Sequence, residues 1–247
     1  MDFVGSKKRL FSRMLIITVI LLAFSYSSNV FGWHDETHLA VAKAAGYYKW
    51  YNAAGADITK IKAGRIERNN HYFGNTLNVN VTSELVLEQA KRYNDANDTE
   101  GHLYGAIIAS LREYRETKES GKYAEYHLAF CAHYIGDLSQ PLHNIPNDEF
   151  NMIHHSLNDG IVEDEVLKNI KKIKAYMYPI KLRSTHFEED LAKEIARIAN
   201  LSRKLGYKLK KKDRDLTKEE AYRQLGHSAS LLKAVLKYAG SIKSKSP

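Results

Sequence analysis

The sequence predicts an all-α protein, a single compact domain built from several helices. Only four prolines occur in 247 residues. Apolar residues recur at spacings of three and four through several long segments, whereas the alternation typical of strands is hard to find. This periodicity predicts helices, in chain order, at residues 36–50, 83–94, 101–119, 123–138, 158–174, 187–205 and 218–243. The segment between residues 50 and 83 is the least regular part of the chain.

The first 32 residues have the pattern of a secretory signal peptide. Four basic residues precede an apolar run, MLIITVILLAFSY, which has the length of a signal-peptide core and is short for a membrane span. Val30 and Gly32 are small residues three and one positions before a cut that would leave Trp33 as the new N-terminus. We therefore expect residues 1–32 to be removed and the protein to be exported, either secreted or periplasmic. An uncleaved membrane anchor is the alternative.

Composition indicates a domain, residues 33–247, that does not depend on cross-links for its stability. Its length is sufficient to bury a substantial core, and the single cysteine, Cys131, excludes an intramolecular disulfide. The formal charge of the whole chain is +8. Much of the excess lies in two basic runs, at residues 168–174 and 203–214, which are typical of solvated helix faces. A transient contact with a membrane surface or a polyanion is only weakly indicated.

The segment AHYIGDLSQPLHN, residues 132–144, combines two histidines and a carboxylate around a predicted helix end. His133 and Asp137 are four residues apart and therefore share one face of a helix. Pro141 ends that helix, so that His143 can turn back toward the same volume. Gly136, between the two ligand candidates, is expected to allow close helix packing.

A second histidine–carboxylate pair follows in the segment HHSLND. His155 and Asp159 are again four residues apart on one helical face, and imidazole with carboxylate is a ligand set that zinc accepts at about 2.0–2.2 Å. His154 could replace His155, but its partner four residues on is Asn158, which is a poorer zinc ligand than a carboxylate. Two such pairs predict a metal centre more strongly than one.

Upstream residues add further candidate ligands, including the predicted N-terminus itself. A free α-amine has a pKa near about 7.7–8.0, so Trp33 could lose its proton and bind a metal near neutral pH. The amine and carbonyl of that residue could chelate one ion together. Cleavage before Trp33 would therefore create a ligand. One extra residue left in front would move the amine by about 3.8 Å, which is more than the length of a zinc bond. His38, Asp57 and His71 lie in the same part of the chain.

Together these motifs resemble the zinc-dependent phospholipase C family, whose superfamily also contains zinc-dependent single-strand nucleases. The resemblance spans roughly residues 33–164 and is most specific in HYIGDLSQPLH. It implies an all-helical fold that holds three zinc ions in a cleft, with Asp137 bridging two of them. The implied ligand sets are His71, His133 and Asp137 for one ion, His143, His155 and Asp159 for a second, and the amine and carbonyl of Trp33 with His38 for the third.

Asp57 occupies the place of a carboxylate that is interpreted as a general base in the lipases and as a metal ligand in the nucleases. Our hypothesis from the sequence is that Asp57 is catalytic and orients a zinc-activated water toward the phosphorus of a phosphodiester. Glu67 is a competitor for this role. The predicted function is therefore that of an exported zinc-dependent phosphodiesterase, a hydrolase of the phospholipase C type.

Two alternatives remain open at the level of sequence. One is a zinc-dependent single-strand nuclease, for which nucleic acid would be the partner and Tyr72 and Phe73 could stack bases. Absence of a glycine- and asparagine-rich stretch before His155 favours the lipase. The other alternative is a zinc-binding domain without catalysis. Closed structural sites use four protein ligands, and the sets assigned here have about three, which favours an enzyme.

The substrate preference is indicated by three positions. Glu36 falls where choline-preferring phospholipases have a carboxylate for the head group, but Ile58 and Arg68 occupy positions where aromatic residues would surround a quaternary ammonium. We therefore expect a weak preference for phosphatidylcholine. The sequence shows no evident amphipathic segment with a basic and an apolar face, so a short soluble phosphodiester is an equal candidate. No obligate protein partner is indicated.

Overall fold

A computed structural model describes residues 33–119 and 123–241, and within these ranges the all-α prediction is confirmed. Apart from one isolated bridge residue, Tyr47, the described residues contain no β-structure. The predicted signal peptide lies outside them. The helices are α1 (Asp35–Ala45), α2 (Gly55–Ala63), α3 (Arg65–Arg68), α4 (Ser83–Gln89), α5 (Leu103–Lys118), α6 (Ala124–Leu138), α7 (Glu149–Asp159), α8 (Glu163–Val166), α9 (Ile170–Ala175), α10 (Phe187–Lys212) and α11 (Lys218–Ala239). Short 3₁₀ turns occur at Trp50–Asn52, Ala90–Arg92, Pro141–Asn144 and Ser184–His186.

Capping residues explain why several helices begin or end at positions other than the predicted ones. Helix α1 ends five residues before the predicted position because Gly46 adopts a left-handed conformation, with φ 88°, and closes the helix. Helix α10 continues past the predicted end until Asp213, with φ 46°, stops it. Helix α11 begins with a capping box between Thr217 and Glu220 and ends before Gly240. The last two residues predicted for it lie outside the described residues.

The single helix predicted at residues 158–174 is wrong. Helix α7 begins instead after Asp148, whose side chain accepts a hydrogen bond from the backbone N–H of Asn151 at 3.2 Å, and it ends before Gly160. Asn158 also fixes this end, because its amide accepts from the N–H of Leu216 at 2.7 Å. The chain then forms two short helices, α8 and α9, rather than one long helix.

Helix α2 was not predicted, and the reason lies in its exposed side chains. Ile58 and Ile61 are 62% and 80% exposed, so the large apolar residues of this helix point outward and do not form a buried stripe. Periodicity arguments assume that apolar residues face the core. The segment between residues 50 and 83 therefore contains a helix that carries one candidate site residue, Asp57.

Helices α5 and α6 form the most extensive helix pair and lie in the core, with α11 and α10 packed against α6. Ile107 and Ile108 of α5 and Leu128 and Ile135 of α6 are almost fully buried. Burial of each such side chain stabilises the fold by about 1.5–3 kcal/mol. The C-terminal end of α6, which carries His133 and Asp137, is thereby enclosed by the core. Among the described helices, none has both the length and the apolar character that a membrane crossing needs.

Candidate metal centre

The structure gathers the predicted histidines and carboxylates into three buried groups. In each group one potential ligand atom per residue lies within 4.8 Å of the others. Because His133 belongs to two of the groups, those two sets are contiguous. The groups are His38, His133 and Asp137; Asp57, His71 and His133; and His143, His155 and Asp159.

We refer to the three groups together as the metal centre. Helix α6 directs one ring nitrogen of His133 toward the other residues of this centre. Its Nδ1 lies 2.7 Å from the carbonyl oxygen of Ala53, an arrangement that leaves Nε2 to face the carboxylates. Nε2 lies 3.3 Å from Oδ2 of Asp137 and 3.4 Å from Oδ1 of Asp57. Burial by itself would lower the pKa of His133, but the two carboxylates raise it to about 10. A bound cation would therefore compete with a proton at this nitrogen.

His71 completes a set of four converging atoms. Its Nδ1 lies 2.9 Å from Oδ2 of Asp137, 3.2 Å from Nε2 of His133 and 3.8 Å from Oδ1 of Asp57. A tetrahedral ion with bonds of about 2.0–2.2 Å would separate its ligand atoms by about 3.3–3.6 Å. The observed separations bracket this range, so the four residues fit a single zinc-sized ion.

Asp137 presents its two oxygens to different groups. Oδ2 faces His71 and His133, while Oδ1 lies 3.3 Å from Nε2 of His38. His38 stacks on His133 with ring centroids 3.6 Å apart. Burial would raise the pKa of Asp137, but His133, His143 and His38 hold it well below its usual value. The carboxylate is therefore an ionised group at the junction of two sets.

Several atoms of the centre have no hydrogen-bond partner in the described part of the chain. The atoms that are buried without such a partner include both ring nitrogens of His38, Oδ1 of Asp137 and Oδ2 of Asp159. His38 and Asp137 approach each other, yet their orientation does not suit a hydrogen bond. Each unsatisfied buried polar group costs about 1–3 kcal/mol, and a cation between them would remove that cost. The donor set therefore fits metal ions.

Gly136 makes room for His38 beside helix α6. A Cβ added to this glycine would lie 2.5 Å from Nδ1 of His38, well inside van der Waals contact. The expected role of Gly136 in close helix packing is thus confirmed, and its neighbour is a candidate ligand. We expect Gly136→Ala to displace His38 and to remove at least part of the metal bound at its set, as measured by elemental analysis of the folded variant.

The second predicted set is also assembled. Nε2 of His143 lies 3.0 Å from Nε2 of His155, which in turn lies 3.2 Å from Oδ2 of Asp159. On the far side of the ring, Nδ1 of His155 is 2.6 Å from Oδ1 of Asn151, one turn earlier on α7. Nδ1 of His143 contacts the carbonyl of His71. Backbone and amide groups thus orient both rings toward one point.

The structure separates His154 from His155, between which the sequence left a choice. His154 lies outside the group, with Nδ1 2.7 Å from Oδ1 of Asp215, and His155 takes the inward place. Asp57 faces the ligand atoms. Burial by itself would raise the pKa of Asp57, but His133, Lys60 and His71 together hold that pKa well below its usual value.

The remaining predicted site residues are Trp33, Glu36 and Arg68. The side chain of Trp33 is fully buried, and its indole nitrogen lacks a partner among the described residues. Its backbone nitrogen is a peptide amide in the uncleaved chain, so its role as a ligand stays a prediction. Glu36 is exposed, and its N–H donates to Glu163 at 2.8 Å. Arg68 is exposed.

Sequence reasoning did not find the supporting role of Glu67. This residue is 3% exposed and lies behind His71, with Oε1 3.1 Å from Nε2 of that ring. The hydroxyl of Tyr134 donates to the same oxygen at 2.6 Å. A carboxylate behind a ligating histidine fixes its orientation and increases its basicity. The four-residue spacing between Glu67 and His71 was the available signal.

We expect Glu67→Gln to weaken metal binding by about 10–100-fold, the range typical of outer partners of metal ligands. The measurement is a competition titration with a chromophoric chelator. Glu125→Gln is a matched control, because Glu125 also accepts a tyrosine hydroxyl, that of Tyr48 at 3.0 Å, but is not a member of the metal centre. Equal affinities in the two variants would contradict the supporting role.

The centre opens to a cavity of about 330 Å³, a size suited to a small ligand group. Asp57 belongs both to the cavity wall and to one of the metal-ligand groups. The wall thus combines carboxylates with two aliphatic side chains. Its lining residues are His34, Asp35, Asp57, Ile58, Ile61 and Glu163.

Comparison with known proteins gives no match to a family model, a curated protein or a solved structure.

Proposed function

We propose that this protein is an exported zinc-dependent phosphodiesterase that hydrolyses the head-group phosphodiester of a phospholipid, in the manner of phospholipase C. The observation that carries the proposal is the convergence of three buried histidine–carboxylate groups, two of which share His133 and one of which reaches a cavity through Asp57. Multiple ions close together would supply an activated water and would neutralise the oxygens of an in-line displacement at phosphorus.

The residues that would hold the ions are those of the three groups, and the geometry adds a role for Asp57. Its Oδ1 lies 3.4 Å from Nε2 of His133, a separation that suits two ligand atoms of one ion, and the same oxygen is ion-paired with Lys60, one turn later on α2. We therefore assign Asp57 to the ligand set rather than to the base role alone. Lys60, which is 9% exposed, would balance negative charge beside a bound phosphodiester.

The cavity wall favours a lipid over a nucleic acid as the substrate. Stacking platforms for bases are typically the large rings of Phe, Tyr or Trp; the residues described along this wall include none of these, and its one ring is the imidazole of His34. Phe73 packs edge-on against Tyr104 of the core, with ring centroids 5.3 Å apart, and the hydroxyl of Tyr72 donates to the carbonyl of Thr99 at 3.1 Å. The wall presents the aliphatic side chains of Ile58 and Ile61 instead.

The decisive experiment measures metal content and products together, using protein that begins at Trp33. About three zinc ions per chain with diacylglycerol release from mixed phospholipids would support the proposal. The nuclease alternative, favoured by the position of Asp57 among the ligand atoms, would instead give nucleotide release from single-stranded nucleic acid. Full zinc occupancy without hydrolysis of either substrate, or of bis-(p-nitrophenyl) phosphate, would favour the non-catalytic domain.

Asp57→Asn separates the two roles of this carboxylate. If Asp57 is a ligand, the variant will contain about one ion fewer, because an amide is a poorer zinc ligand than a carboxylate, and its hydrolysis of a soluble phosphodiester will fall accordingly. A base without a ligand role would reduce hydrolysis and leave metal content unchanged. Full activity with full metal content would remove Asp57 from both roles.

A further inference from the structure

Residues 58–68 contain exposed aliphatic side chains, and two of them line the cavity. Ile58 and Ile61 are 62% and 80% exposed, and Ile66 of α3 is 46% exposed. The first two are three residues apart on α2 and therefore lie on neighbouring parts of one helical face. Both also line the cavity that contains Asp57. An apolar surface at the rim of a cavity is typical of an interaction site.

Cations accompany these aliphatic side chains. Lys62, Arg65 and Arg68 are exposed, and none of them has an ion-pair partner among the described residues. Glu67, the only acidic residue in this segment, is buried behind His71. We define the 58–68 face as the exposed side chains of Ile58, Ile61, Lys62, Arg65, Ile66 and Arg68.

Acidic groups also line the cavity, and one of them is already engaged. Glu163 accepts hydrogen bonds from the backbone N–H of Glu36 and of Thr37, at 2.8 and 3.1 Å. Its carboxylate thus interacts with the N-terminus of α1, where negative charge is favourable. Asp35 also lines the cavity. Lys62, Arg65 and Arg68 are exposed and are not among the residues that line the cavity, so the positive charge of the 58–68 face lies outside the cavity.

We propose that the 58–68 face docks on the surface of an anionic phospholipid bilayer, with its isoleucines inserted among the head groups and its cations paired with lipid phosphates. Aliphatic insertion combined with basic side chains is how interfacial segments bind anionic membranes. Single-stranded nucleic acid fits the cations but not the isoleucines, since bases stack on aromatic faces. The inference deepens the proposed function by specifying how a lipid substrate would reach the cavity.

The test is vesicle binding, which does not depend on hydrolysis. Protein beginning at Trp33 is passed over captured vesicles of phosphatidylglycerol and phosphatidylcholine, with contact times too short for lipid turnover. We expect Ile61→Ser combined with Ile66→Ser to weaken binding at least about tenfold, because two apolar side chains leave the interface. Lys62→Gln and Arg65→Gln should each weaken binding about fivefold on anionic vesicles, and much less on phosphatidylcholine alone.

The matched control removes exposed aliphatic side chains elsewhere. Ile153 and Leu157 are 64% and 63% exposed and lie on the side of α7 opposite His155, about 200° away around the helix. Ile153→Ser combined with Leu157→Ser should bind vesicles like the unmodified protein. Equal losses in both double variants, no vesicle binding at all, or selective binding of single-stranded nucleic acid would overturn the docking proposal.

Failure of docking is distinguishable from failure of the proposed function. Hydrolysis of bis-(p-nitrophenyl) phosphate, a soluble substrate that needs no membrane, reports on the metal centre alone. Hydrolysis without vesicle binding would overturn only the docking proposal. Vesicle binding without hydrolysis of any phosphodiester would overturn the enzyme and leave the membrane contact.

Discussion

Removal of bound metal by a chelator is expected to lower the melting temperature by at least about 10 °C and to abolish phosphodiester hydrolysis. An ion present at a thousand times its dissociation constant stabilises the folded state by about 4 kcal/mol. In a domain of this size each kcal/mol corresponds to about 2–4 °C. The ring nitrogens of His38 and the carboxylate oxygens of Asp137 and Asp159 are buried without hydrogen-bond partners among the described residues. Without bound cations, nothing would compensate their loss of contact with water.

Differential scanning fluorimetry of metal-loaded and chelated protein measures this effect. Readdition of zinc should restore both the melting temperature and hydrolysis, whereas magnesium, which prefers oxygen ligands in octahedral geometry, should restore neither. A melting temperature that is insensitive to chelation, in protein shown by elemental analysis to have lost its metal, would contradict a metal centre in the core.

Asp137→Asn is expected to be the most damaging single substitution. Asp137 contributes one oxygen to the set of His71 and His133 and the other toward His38, so its loss affects two sets together. Loss of an outer partner of a metal ligand costs about 10–100-fold in affinity or activity. Because Asp137 would be a direct ligand of two ions, we expect hydrolysis to fall more than about 100-fold and metal content to fall by about two ions.

Asp98→Asn provides the matched control. Asp98 also pairs with a histidine four residues away, with its Oδ2 2.9 Å from Nδ1 of His102, and it is largely buried. This pair is not among the groups that could hold a metal in the described residues. Asp98→Asn should therefore retain its metal content. A similar loss of metal in both variants would indicate that Asp137→Asn acts through general destabilisation.

The sequence predicted those parts of the centre that lie on regular helices. The pairs His133–Asp137 and His155–Asp159 are four residues apart, and helical geometry alone brings each pair together. Pro141 indicated the turn that returns His143 to the same volume, and the structure has a 3₁₀ turn there. Local chain geometry determines these relationships, so one sequence suffices.

Relationships that depend on tertiary packing were not predictable in the same way. Asp57 lies on a helix whose exposed isoleucines obscured its period, and its distance from His133 is set by how α2 packs on α6. The support of His71 by Glu67 and Tyr134 joins residues from two separate segments. The 58–68 face was not predicted from the sequence for a related reason, because its basic and apolar residues are divided between two short helices.

The shared position of Asp137 also has a genetic consequence. Substitutions of His38 and of His71 would each impair mainly one set, so in combination their effects on metal affinity should be nearly additive. Once Asp137 is replaced, both sets are already impaired, and a further change at either histidine should cost much less than it does in the unmodified protein. Residue 137 would therefore be epistatic to residues 38 and 71, and double-mutant cycles would measure this masking as a large coupling energy.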